Sequence, residues 1–151
     1  MTRKEQAMEY FKEGYNCAQA VVLAFADLTD LDKSTLLRVS SSFGGGFGRM
    51  REICGSVSGM GIILGILYGV DDSSQKEEKG AHYARIQEVA KKFEEKNGSI
   101  VCKELLGLSQ KHDNPTPEER TESYYKKRPC VELVGDSAEI LDEYISAHPY
   151  K

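Results

Sequence analysis

Apolar positions recur along this chain at helical spacing almost throughout. Ala7, Met8 and Phe11 begin an amphipathic helix that Gly14 ends. Asn16 is a good N-cap for a second helix, where Ala18, Val21, Val22 and Phe25 form one apolar face. Asp30 or Asp32 can cap a third, carrying Leu36, Leu37 and Val39. The run Phe43-Gly44-Gly45-Gly46-Phe47-Gly48 must break it, because glycine favours turns over helix.

A long apolar helix then starts at Cys54. Ser73 or Ser74 opens a highly charged helix reaching about Lys96, with Tyr83, Ile86, Ala90 and Phe93 as its inner stripe. Asn97-Gly98 ends it, and Ser99 can cap a short helix through Leu106. Ser109 to Pro117 reads as a polar loop, and Pro117 to Lys126 as a helix whose Glu118, Glu119 and Glu122 face water. The last helix begins at Pro129 and carries Val134, Ala138, Leu141 and Ile145, with Gly135 a possible bend. No strand alternation, internal repeat or linker interrupts the pattern. The expectation is one all-α domain over residues 1–151, a bundle of six to seven helices around a glycine-striped central helix.

Composition narrows the function. At 151 residues the chain can bury an apolar core without disulfide staples. Its net charge of −4 is the wrong sign for a nucleic-acid binder. The uncharged run Ile53 to Val70 is near the length of a membrane span, but its glycines and serines favour a buried helix. The charged start, Met1-Thr2-Arg3-Lys4-Glu5, leads into no apolar signal core, so the cytoplasm is the expected location.

Gly61, Gly65 and Gly69 recur every fourth residue, as do Gly55 and Gly59. Each glycine costs a helix about 1 kcal/mol relative to alanine, so close approach of a neighbour should offset it. A second helix, within the chain or across a homodimer, would do so. A cofactor would do so at Gly55 and Gly59, beside Cys54. Gly44 to Gly48 lacks the lysine of a phosphate-binding loop and follows no strand, so it reads as packing against a site.

Four cysteines, Cys17, Cys54, Cys102 and Cys130, have no C-x-x-C spacing, but all fall in the first turn of an expected helix. Free N–H groups and the positive end of the helix dipole favour thiolate there. Arg49 and Arg51 flank Cys54, and Arg128 flanks Cys130, adding positive charge. Four such positions suit one anionic redox or metal centre, though a free cysteine also serves as a small core hydrophobe. His82, His112 and His148 neighbour none of them in sequence, which leaves a hydrolase little support.

The ordered segments Asn16-Cys17-Ala18-Gln19-Ala20-Val21, Gly44-Gly45-Gly46, Cys54-Gly55-Ser56-Val57-Ser58-Gly59, Cys102-Lys103-Glu104-Leu105-Leu106-Gly107 and Pro129-Cys130 resemble the C_GCAxxG_C_C family of redox-active proteins. The resemblance runs from about Ala7 to Tyr144. It departs at Ser56, where that family usually has alanine, and serine is small enough to keep the packing. The resemblance implies that Cys17, Cys54, Cys102 and Cys130 are the functional residues. A related domain in some multihaem cytochromes is held to contain an iron–sulfur centre, so it also implies a cluster and a redox protein partner. Metal-free thiol–disulfide chemistry on the same four cysteines, and a structural zinc site, are the alternatives. No C-x-x-C-H is present for covalent haem attachment.

Overall fold

A computed structural model describes residues 1–108, 114–122, 124 and 128–150. Seven right-handed helices lie wholly within them. They are α1 (Arg3–Lys12), α2 (Cys17–Ala24), α3 (Lys33–Ser40), α4 (Gly55–Tyr68), α5 (Lys76–Asn97), α6 (Cys102–Leu105) and α7 (Cys130–Ala147). Among the described residues there is no strand, only one isolated antiparallel bridge between Ile53 and Val101. The fold is all-α, as the periodicity requires. No described helix is long and apolar enough to cross a membrane.

Local chemistry explains the starts of the first three helices. Thr2 and Glu5 form a capping box on α1, and Asn16 and Gln19 form another on α2. Asp32, rather than Asp30, caps α3 through the Thr35 amide. Asn16 also donates from Nδ2 to the Ser41 carbonyl, 3.1 Å away, so one side chain starts α2 and anchors the end of α3. Asn16→Ala should therefore cost about 1–2 kcal/mol, read as a lower urea midpoint.

Phe11, Phe25, Met60, Ile63, Leu64, Phe93 and Leu141 are fully buried and join every long helix except α3 into one core, which Leu36 of α3 completes. The broadest pairings are α1 on α7 and α2 on α4. Gly135 does not bend α7. A Cβ there would lie 2.8 Å from Met8 Sδ, so glycine admits α1.

Three expectations change. Helix α5 starts at Lys76, later than Ser73 or Ser74, because Asp72 holds the Ser74 amide in a turn. Its buried stripe is Val89 and Phe93 flanked by Ile86 and Ala90, while Tyr83 is 59% exposed. The α4 glycines also do not form one packed stripe. Gly55 and Gly59 press against α2, whereas a Cβ on Gly61 or Gly65 would meet nothing within 4 Å, and Gly69 is the cap. Two of these glycines have a packing reason inside the chain.

Residues 117–121 are irregular, and Glu122 and Tyr124 are the residues with helical geometry among those described. The rest of the expected Pro117–Lys126 helix, and positions 109–113 of the polar loop with His112, lie outside the described residues.

A cavity lined by four cysteines

The cysteines stand at helix starts, as expected from sequence. Cys17, Cys102 and Cys130 are the first residues of α2, α6 and α7, and Cys54 is the N-cap of α4. Fold topology brings these four starts to one place. All four cysteines line a single cavity of about 380 Å³. All four are free thiols. Cys54 and Cys102 are buried, and Cys17 and Cys130 are partly exposed. Cys17 is near enough to act on each of the other three thiols.

Two glycines make the approach possible. A Cβ at Gly55 would stand 2.5 Å from Cys17 Sγ and 2.7 Å from the Phe43 carbonyl. A Cβ at Gly46 would stand 2.7 Å from Cys102 Cβ. Gly46 belongs to a left-handed turn: Gly45, Gly46, Phe47, Gly48 and Arg49 all have positive φ, and so does Arg51. Left-handed backbone costs a non-glycine residue roughly 1–2 kcal/mol, so Phe47, Arg49 and Arg51 hold stored strain. The turn is strapped by Arg51 N–H to the Gly45 carbonyl and Glu52 N–H to the Gly46 carbonyl, at 3.1 and 2.9 Å.

The same strap carries two of the cysteines. The Cys102 amide donates to the Glu52 carbonyl at 2.6 Å, and the Cys54 amide to the Ile100 carbonyl at 2.7 Å. Both N–H groups are therefore engaged by backbone.

Arg51 flanks Cys54 in sequence but serves Cys102. It is 4% exposed, and its Nη1 donates to Cys102 Sγ at 3.6 Å. Cys54 Sγ instead lies 3.2 Å from Ser56 Oγ, which accepts a 2.9 Å bond from Ser137 Oγ. Both serines are fully buried, so Ser56 is a polar partner of the sulfur as well as a small residue. Tyr124 hydrogen-bonds the Cys130 side chain.

Helix starts do not lower the pKa values of Cys54, Cys102 and Cys130. Burial pushes Cys54 far up, with repulsion from Cys17 adding to it. Burial also raises Cys102, although Arg51 opposes it. Burial and the neighbouring Cys17 and Cys102 push Cys130 up to about 12. Desolvation of a thiolate outweighs the partial helix charge and the hydrogen bonds to sulfur. Without a bound cation these three are neutral thiols near pH 7.

The other residues singled out from sequence divide. Gly55, Arg49 and Arg51 line the cavity, whereas Gly59 packs on Ala18 and Val21 outside it. Arg49 donates from Nε to the Asn114 carbonyl at 2.6 Å. Glu118 is exposed but not on a helix, and it faces both Arg49 and Arg128 across the cavity rim. His82 and His148 do not line the cavity. His82 pairs with Arg85, and His148 stacks on Tyr144. Among the described residues, no three His, Cys, Asp or Glu side chains are gathered closely enough to hold one ion.

Fold and cavity define an all-helical protein that gathers cysteines from four separated segments. A family model described as "Putative redox-active protein (C_GCAxxG_C_C)" matches residues 15–144, and the chain belongs to that family. No curated protein and no solved structure matches it significantly.

Proposed function

We propose that the cavity is a redox centre in which Cys17, Cys54, Cys102 and Cys130 hold an iron–sulfur cluster for electron transfer to and from a protein partner. The observation that carries this is the convergence of four thiols on one cavity of about 380 Å³. That volume lies in the range of small-molecule sites, about 300–1,000 Å³, and suits a polyatomic group better than a single zinc ion. A bound cluster would supply one-electron chemistry.

The chain's own residues have separable roles. Four thiols supply the ligand set, and metal binding deprotonates them despite the raised pKa values of Cys54, Cys102 and Cys130. Arg51 and Arg128 offset the negative charge of the bound thiolates. The Ser137–Ser56 pair offers a hydrogen bond to Cys54 sulfur, and Tyr124 one to Cys130. Such bonds stabilise negative charge on sulfur and raise a cluster's potential. Gly46 and Gly55 keep the walls close.

A second reading has one observation of its own. Cys17 is partly exposed and lies against Gly55, beside buried Cys54, which suits an attacking thiol next to a resolving one. Two thiols would then release two electrons and two protons together to a disulfide partner. Anaerobic purification with an absorption spectrum and counts of iron, sulfide and zinc separates these readings. Visible charge-transfer bands with iron and sulfide are expected. Iron-free, colourless protein that cycles two thiols with a dithiol reagent would replace the cluster by the disulfide.

A further inference from the structure

The cavity has a second chemistry in its arginines. Arg49, Arg51, Arg120 and Arg128 all line it, and Glu118 is the one carboxylate among the described lining residues. This is a concentrated positive region in a chain whose net charge is −4. Desolvated walls of one charge sign focus the field and draw in counter-ions. Leu105, Leu106 and Pro117 supply an apolar wall beside the cations.

Arg128 is the informative member. Its side chain is 15% exposed, and its Nη2 donates to Glu118 Oε1 at 2.5 Å. Its Nη1 is buried and has no hydrogen-bond partner among the described residues. A buried guanidinium nitrogen left unsatisfied is costly, and a guanidinium presents a planar fork that fits a carboxylate. Glu118 uses one prong of that fork and also faces Arg49 Nη2 at 3.7 Å. Its own side chain is 42% exposed, so it can leave at small cost.

We infer that this arginine cluster is a binding site for a small organic carboxylate, and that Glu118 occupies it as an internal competitor when no ligand is bound. The incoming carboxylate takes both prongs of Arg128, satisfies Nη1 and releases Glu118 to solvent. Its apolar part lies along Leu105, Leu106 and Pro117. The bound molecule then sits in the cavity that the cysteines line, where a redox group can reach it. The inference names a ligand class for the site proposed above and holds whether the sulfurs carry a cluster or cycle as thiols.

The test is titration calorimetry on anaerobically purified protein, with benzoate as probe and uncharged benzamide as control. Iron is counted on the same samples, so failure of the cluster reading appears in the count and failure of this one in the titration. Benzoate is expected to bind at least about tenfold tighter than benzamide. Arg128→Gln should weaken benzoate by about tenfold or more, with Arg128→Lys retaining part of the affinity. Glu118→Gln should tighten benzoate by about threefold, because the competitor is gone. A tightened variant cannot be explained by misfolding. Equal binding of benzoate and benzamide, or a Glu118→Gln variant that binds benzoate no better than wild type, would overturn the inference.

Discussion

Gly55→Ala is expected to destabilise the protein by about 2–3 kcal/mol, while Gly61→Ala, two turns along the same helix, stabilises it by about 0.5–1 kcal/mol. The added methyl at Gly55 would stand 2.5 Å from Cys17 Sγ and 2.7 Å from the Phe43 backbone oxygen. The sulfur could move at the expense of the site, but the backbone oxygen belongs to the segment leading into the left-handed turn. Overpacking of this kind outweighs the gain in helix propensity. At Gly61 nothing lies within 4 Å, so only the propensity gain remains. Thermal melts of the two variants should move in opposite directions, at roughly 2–4 °C per kcal/mol for a chain of this size. Equal shifts of the same sign would mean that the two glycines share one role.

The metal-free, fully reduced protein should lose several kcal/mol of stability between pH 8.5 and pH 10.5. Burial raises the folded-state pKa of Cys54, Cys102 and Cys130, whereas unfolding returns each thiol to an ordinary value near 8.5. Above that value the unfolded chain releases protons that the folded chain retains. Stability is therefore complete below about pH 8.5 and falls as pH climbs toward the folded values, about 12 for Cys130. A thiol held protonated in the fold loses about 1.4 kcal/mol of stabilisation per pH unit in that window. Tyr124, raised to about 12 by burial and by Cys130, adds to the loss near its upper end. Urea midpoints at pH 7, 8.5 and 10 measure the effect, and Cys130→Ala should flatten part of the slope. A midpoint constant from pH 7 to pH 10 would show that the thiols are not buried as described.

Features set by neighbours in sequence were legible without the structure. Asn16 reads as an N-cap from its place ahead of the apolar period, and each cysteine's place at a helix start followed from Asn16, Pro129 and that period. The break at Gly44 to Gly48 was legible too, although its left-handed course through Phe47 and Arg49 was not, because those residue types disfavour it. Features set by tertiary approach were hidden. Arg51 reaches Cys102, 51 positions away, rather than neighbouring Cys54. Glu118 reads as a solvated acid until the fold brings Arg49 and Arg128 to it. The helix dipole argued for lowered thiol pKa values, but the depth of burial that reverses the shift is a property of the assembled core. The glycine spacing in α4 was visible, yet only the position of α2 tells Gly55 and Gly59 from Gly61 and Gly65.

The central claim is that four distant cysteines serve one shared centre. Iron bound per chain after anaerobic reconstitution tests it most directly, in Cys17→Ser, Cys130→Ser and the double variant. Each single change should remove most of the iron that wild type binds, and the double change should remove little more, because groups acting as one unit are not additive. Singles that keep wild-type iron, or losses that simply add in the double variant, would contradict a shared site.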